Sequence, residues 1–311
     1  MDNPYTDMKH LRRALNIDIT RLSETSGVPV EELKRIEAGE AMPLEKLRDI
    51  AMCLGTSVMG ILGKGYFQTQ VTMTDDLVRD KEVTIHSPGG FWGHLGVLLC
   101  GQPKYMWFPI TNFTRRLIDQ NNAEKYMAIP CMDNSLLLVN CARVEELALL
   151  DDACDAPAGM DWDCGVSCGE SPNVIYEAFD DYMLYKETPK ADPADYDMSE
   201  SFVKTLDRFL DKKGTDPETF DAELNTATVF FSSGRVQHHL LTIDCAEDLT
   251  TAVSQIYEAG ELFGDEMILI EELTGTEIRI NFKNIAMIKL PLARVEKDLN
   301  TTFEEIEKDL Q

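Results

Sequence analysis

The stretch Ile17-Asp-Ile-Thr-Arg-Leu22-Ser-Glu-Thr-Ser-Gly27-Val28-Pro-Val-Glu-Glu-Leu33-Lys-Arg-Ile36-Glu37-Ala-Gly39-Glu-Ala-Met-Pro43 decides how the N-terminal part of this chain folds. Asp18 is placed to cap a helix over Ile19–Ser26, because a carboxylate at that position accepts from the backbone N–H groups of the first turn. Gly27 supplies the turn that follows. Pro29 suits the first position of a next helix, Val30–Glu37, where a missing N–H costs nothing, and Gly39 ends that helix. Toward the N-terminus, Met8, Leu11 and Leu15 fall at helical spacing and predict a helix over Met8–Leu15. Toward the C-terminus, Leu44–Leu54, stopped by Gly55, and Val58–Leu62 complete a run of five short helices.

Leu22, Gly27-Val28, Leu33, Ile36-Glu37, Gly39 and Pro43, continued by Leu44-x2-Leu47-x2-Ile50-Ala51-x2-Leu54-Gly55-Thr56-Ser57, carry a resemblance. Residues 8–63, less than a fifth of the chain, resemble the Xre/Cro (phage-repressor-type) helix-turn-helix family. The resemblance implies a transcription regulator that binds a double-stranded DNA operator as a homodimer, since one such head contacts few base pairs alone. It places the second central helix in the major groove, with Val30, Glu31 and Glu32 leading and Lys34 and Arg35 behind them. Arg12, Arg13, Lys34, Arg35 and Lys46 are then the candidates for phosphates. The family's glutamine is replaced by Ile19, which leaves Thr20 and Arg21 to take its phosphate contact. Glu31 and Glu32 present acid at the reading positions, although a glutamate accepts from cytosine N4. A second reading therefore stays open: an acidic adaptor or antagonist whose helix-turn-helix domain no longer reads DNA and engages a basic protein partner.

The chain of 311 residues has a net charge of −26. A protein held to DNA by its overall field would be basic. The charge is uneven, however. Residues 1–64 carry about 9 basic and 10 acidic side chains, whereas residues 145–224 carry about 22 acidic and 6 basic ones. The acidity belongs mostly to the middle of the chain, so it predicts weak non-specific affinity without excluding a DNA-binding head. No apolar run is long enough for a membrane span, and the first residues lack the pattern of a signal peptide. The expected location is the cytoplasm. Reduced thiols are expected there, with Cys53, Cys100, Cys131 and Cys141 reading as small buried hydrophobes.

Beyond a connector at residues 65–92, in which Phe67–Thr74 alternates like a short strand, one pattern occurs twice. The first copy, residues 93–150, reads as strands Leu95–Cys100 and Lys104–Ile110, a helix Asn112–Asn122, then strands Tyr126–Cys131 and Ser135–Val139. The second, residues 227–311, reads as Thr228–Phe231 and Arg235–Ile243, a helix Glu247–Ala259, strands Met267–Glu271 and Glu277–Phe282, and a C-terminal helix. Val139-Asn140-x3-Val144-x2-Leu147-x-Leu149 aligns with Ile280-Asn281-x3-Ile285-x2-Ile288-x-Leu290, and adds a short final strand to each copy. Asn140 and Asn281 read as turn residues that tolerate left-handed backbone and bond their own backbone, with a ligand- or RNA-contacting asparagine as the alternative. The expected fold is α+β multidomain: a five-helix head at residues 1–64, then two duplicated ββαββ units, as small barrels or open sheets, on either side of an acidic, partly helical linker at residues 151–226. In that linker Lys190–Met198 reads as mobile and Ser199–Lys213 as an amphipathic helix.

Little points to an enzyme, and no metal or cofactor is expected. Cys154, Cys164 and Cys168 have the wrong spacing for a zinc site. Gly165-Val-Ser167-Cys-Gly169 lacks the strand and helix that a nucleophile elbow requires. His238 and His239 sit on one predicted strand and so point to opposite faces.

Overall fold

A computed structural model describes residues 6–72, 90–121, 124–151, 171–242, 247–262 and 267–309. In chain order the helices α1 (Thr6–Ala14), α2 (Ile19–Ser26), α3 (Val30–Glu37), α4 (Leu44–Leu54) and α5 (Val58–Leu62) come first. Next are β1 (Phe91–Leu99), β2 (Met106–Thr111), α6 (Asn112–Gln120), β3 (Tyr126–Pro130), β4 (Ser135–Asn140) and β5 (Val144–Asp151). Four helices follow: α7 (Asn173–Glu177), α8 (Phe179–Glu187), α9 (Glu200–Lys213) and α10 (Pro217–Leu224). The chain continues with β6 (Thr226–Phe231), β7 (Val236–Leu240), α11 (Glu247–Ala259), β8 (Met267–Glu271), β9 (Glu277–Asn281), β10 (Ile285–Pro291) and α12 (Leu292–Asp309). The protein is thus mixed α+β, with a helical N-terminal region and several antiparallel sheets. Among the described residues no helix is long and apolar enough to cross a membrane. Cys154, Cys164, Cys168 and the Gly165–Gly169 stretch lie outside the described residues.

The chain divides into two units, Met1–Gly90 with Gly169–Glu223, and Phe91–Cys168 with Leu224–Gln311. This corrects the expectation of a separate acidic linker over residues 151–226, because α7–α10 fold with the N-terminal helices. The reason lies in α4. A surface helix buries one stripe, but α4 buries Leu47, Arg48, Ile50, Ala51, Cys53 and Leu54, which leaves little of its circumference to solvent. Helices α2 and α5 pack against part of it and α7 and α9 against another part. Arg48 lies inside this contact, its guanidinium paired with Asp181 and donating to the carbonyls of Tyr196 and Asp197 at 3.0 and 3.1 Å. Glu177 is half-buried and accepts from the Val58 N–H at 2.8 Å, so α7 caps the first turn of α5. Ser199 caps α9 through the Phe202 N–H and also donates to Asp49. Residues 190–198 are ordered by a turn at Pro193–Tyr196 and by the fully buried Met198, where a mobile segment was expected. The anticipated strand at Phe67–Thr74 is absent through residue 72, apart from a single bridge from Val71 to Gly90.

In the other unit the order strand–strand–helix–strand–strand–turn–strand occurs twice, as β1–β5 and as β6–β10. β5 pairs with β1 beside β2, and β10 pairs with β6 beside β7. Corresponding backbone bonds recur: Cys100 N–H to Arg143 O and Ser232 N–H to Asn284 O, Met132 N–H to Pro109 O and Leu273 N–H to Leu240 O. The sheets are a three-stranded β2-β1-β5, a five-stranded β3-β4-β10-β6-β7 and a two-stranded β8-β9. A core of Leu95, Val97, Phe108, Ile110, Leu137 and Val139 fills the first set. Gly96 faces Trp107 across the β1–β2 ladder, and a Cβ there would lie 2.6 Å from the indole, so the ring packs flat only over glycine. Asn140 and Asn281 are turn residues that bond their own backbone two positions on, as expected, but from a negative φ (−88° and −77°) and not from left-handed backbone. Cys53 and Cys131 are buried as expected, but Cys100 is exposed at the β1–β2 turn. His239 is buried against Glu272 while His238 is exposed beside Thr228, so the two rings do face apart.

Removing the Arg48 guanidinium strips donors from Asp181 and two carbonyls. Arg48→Ala is expected to lower stability by about 2–4 kcal/mol, read from urea unfolding, and to expose the α9 amides to hydrogen exchange. Unchanged unfolding would remove Arg48 from this role. Asp49 has the opposite sign: burial, with the nearby Glu45 charge, pushes its carboxyl up to about 6 against the hydrogen bond from Ser199. Its proton is held more tightly when folded, so its contribution is full below about pH 4 and is lost as the pH rises through its folded value. Asp49→Asn is therefore expected to stabilise the chain at about pH 8 by roughly 1 kcal/mol, allowing for solvent screening, with the gain vanishing near pH 4. Denaturant midpoints at the two pH values check this.

Candidate nucleic-acid interface

The two central helices of the N-terminal region are set by their caps. The Asp18 carboxylate accepts from the N–H groups of Thr20 and Arg21 at 2.8 and 2.9 Å. These backbone bonds, that from Arg21 foremost, hold the carboxyl below its ordinary value. The positive end of α2 is therefore already occupied by a carboxylate of its own chain. α2 ends at Gly27, whose φ of +71° suits a residue without Cβ, and whose N–H returns to Ser23 O. Pro29 stands just before α3, one position earlier than the first helical residue. Leu33 and Ile36 turn into the core, so the orientation of α3 about its axis is fixed by packing.

That orientation leaves Glu31, Lys34 and Arg35 exposed and Val30 and Glu32 half-buried. The cations of this surface are matched by glutamates. Lys34 pairs with Glu31 at 2.8 Å, Arg35 with Glu40 at 2.6 Å, and Lys46 of α4 with Glu32. Exposed pairs of this kind are worth about 0–1 kcal/mol, so a phosphate can displace the glutamate from Lys34 or Arg35, though the acid stays nearby. Arg12 is different. Its guanidinium is turned into the fold, paired with Glu37 at 2.8 Å and donating to Ile17 O, with both side chains little exposed. The expectation that Arg12 reaches a phosphate is corrected on that ground. Glu37 holds Arg12, while Arg35 turns past the end of α3 to Glu40.

Thr20 and Arg21 are exposed on the first turn of α2, and Arg13 is exposed on the last turn of α1. Arg13 and Arg21 make no ion pair among the described residues. Among the described residues the surface thus combines two guanidinium groups outside any ion pair, Arg21 lying near enough to Asp18 to act on its charge, with three lysine or arginine side chains paired in place. Glu40 escaped sequence reasoning because a contact five residues on, around a helix end, has no periodic signal.

Two sets of substitutions test which partner this surface meets. If α3 faces phosphates, Lys34→Ala with Arg35→Ala is expected to weaken DNA binding and flatten its salt slope by roughly one to two ions. Glu31→Gln with Glu32→Gln is then expected to strengthen it, since Lys34 and Lys46 are released. A basic protein partner predicts the reverse for the glutamine changes, with weaker binding. Fluorescence anisotropy over a salt series separates these outcomes.

Comparison of the chain with family models, with curated proteins and with solved structures finds no match in any of the three.

Proposed function

We propose that residues 6–62 are an Xre-type helix-turn-helix head and that the chain is a DNA-binding transcription regulator of the cytoplasm. The observation that carries this reading is the α2–Gly27–α3 arrangement: two eight-residue helices, a left-handed glycine between them, and an exposed α3 surface fixed by Leu33 and Ile36. In this reading α3 enters the major groove. Arg13 and Arg21 take phosphates directly, and Lys34, Arg35 and Lys46 exchange glutamate for phosphate. The two ββαββ sets are read as copies of one unit, supported by their common strand order and their corresponding backbone bonds. They supply dimerisation and a surface for an effector or partner.

A second reading is favoured by one specific observation, the glutamate held by each of Lys34, Arg35 and Lys46. It is an acidic adaptor whose head engages a basic protein partner.

The test is capture of genomic DNA fragments by the full-length protein at low salt, followed by sequencing. Because α7–α10 pack on the head, the control is Arg13→Ala with Arg21→Ala, not a truncation. Discrete fragments that disappear with the double variant are expected. No enrichment over the variant would overturn the regulator and leave the basic partner as the reading to pursue.

A further inference from the structure

Strands β4 and β10 come from different copies of the ββαββ pattern, yet they lie side by side. Their antiparallel ladder runs from Val139 opposite Met287 to Ser135 opposite Pro291. Asn140 locks its end. The Asn140 Nδ2 donates to Phe282 O at 3.3 Å and to Ile285 O at 3.1 Å, while Oδ1 accepts from the Ala142 N–H. Asn140 is 4% exposed.

Asn281 holds the corresponding place at the end of β9. Its Oδ1 accepts from the Lys283 N–H at 2.9 Å, as the Asn140 Oδ1 does from Ala142, but Asn281 is exposed. Among the described strands β9 pairs with β8 alone and β5 with β1 alone. β5 stands to β1 as β10 stands to β6. The described strands therefore make one junction of the β4–β10 kind and carry both halves of a second, β9 and β5, without joining them.

We propose that a second copy of this chain completes the second junction, with β9 of one copy pairing antiparallel to β5 of the next. Asn281 of the first copy then donates to the carbonyls of Cys141 and Val144 of the second, the counterparts of Phe282 and Ile285. The register follows from the made junction. Ile278 falls opposite Ala148 and Arg279 opposite Leu147, with Glu145 diagonal to Arg279 and within reach of it. Glu145 and Glu146 on one edge and Glu277 and Arg279 on the other keep each edge from pairing indiscriminately. The contact is heterologous, so copies join head to tail. The inference rests on reading the two sets as copies of one unit and is independent of DNA binding.

Light scattering after size exclusion, without DNA, gives the mass of the full-length protein. An integral multiple of 35.0 kDa, two or more, is expected. Asn281→Asp keeps the oxygen that caps the Lys283 N–H but turns a donor into a carboxylate facing two carbonyls, so this variant is expected to be monomeric. Mixing Ala148→Cys chains with Ile278→Cys chains is expected to give a disulfide-linked pair, and Ala148→Cys with Thr276→Cys, two positions out of register, is not. A monomeric wild type, an Asn281→Asp variant of unchanged mass, or absence of the in-register crosslink would each overturn the inference. Asn140→Asp separates this failure from that of the underlying reading. Its junction lies within one chain, so a lowered melting midpoint is expected, and wild-type stability would instead overturn the equivalence of the two copies.

Discussion

The β4–β10 ladder is the constraint on which one unit of this protein depends. β4 is Ser-Leu-Leu-Leu-Val-Asn, buried at every position. A strand with no solvated face needs a neighbour along both edges and packing on both faces. β3 is supplied locally across a short turn, but the second neighbour arrives from about 150 residues further along the chain. β10, nearly as apolar, has the same requirement and meets it with β4 and β6. Each strand is thus the solution to the other's unpaired backbone. The β3–β4 turn extends the bond, since Asn134 accepts from the N–H groups of Leu292 and Ala293 and so caps α12.

An equivalent role in the other unit falls to α4. It buries an arginine among apolar residues, which is tolerated because the Arg48 guanidinium donates to a carboxylate and two carbonyls. The acidic middle of the chain is therefore partly structural: Asp181 neutralises a buried cation and Glu177 caps a five-residue helix too short to persist alone. The same chemistry appears at the candidate interface, where glutamates sit on Lys34, Arg35 and Lys46. A surface neutralised in this way gains little from the general field of a polyanion.

Caps at several helix ends are legible because their physics is local, although Pro29, Asn140 and Asn281 show that a local preference does not fix the backbone position. Asp18, Gly27 and Gly55 marked the ends of α2 and α4, because caps and left-handed turns involve residues a few positions apart. α7 and α8 were not anticipated. Phe179 and Tyr182 are buried on α8, yet that helix carries apolar and charged residues around its whole circumference, so no stripe shows in the sequence. Arg12 was misread for a related reason. An exposed cation and one paired with a glutamate 25 positions away look alike in a sequence.

By itself, then, the sequence determined most of the helices and strands, though not α7 and α8, together with the helical head with its turn at Gly27 and the matched pattern ending in Asn140 and Asn281. Those features follow from periodicity, capping and backbone preference. Only the tertiary structure decided which strands became neighbours, that residues 171–223 fold onto the head, and which cations are engaged. It also distinguished the two asparagines, one sealed in a junction and one exposed at an edge. These outcomes turn on burial and on partners far apart in the chain, which no local pattern encodes.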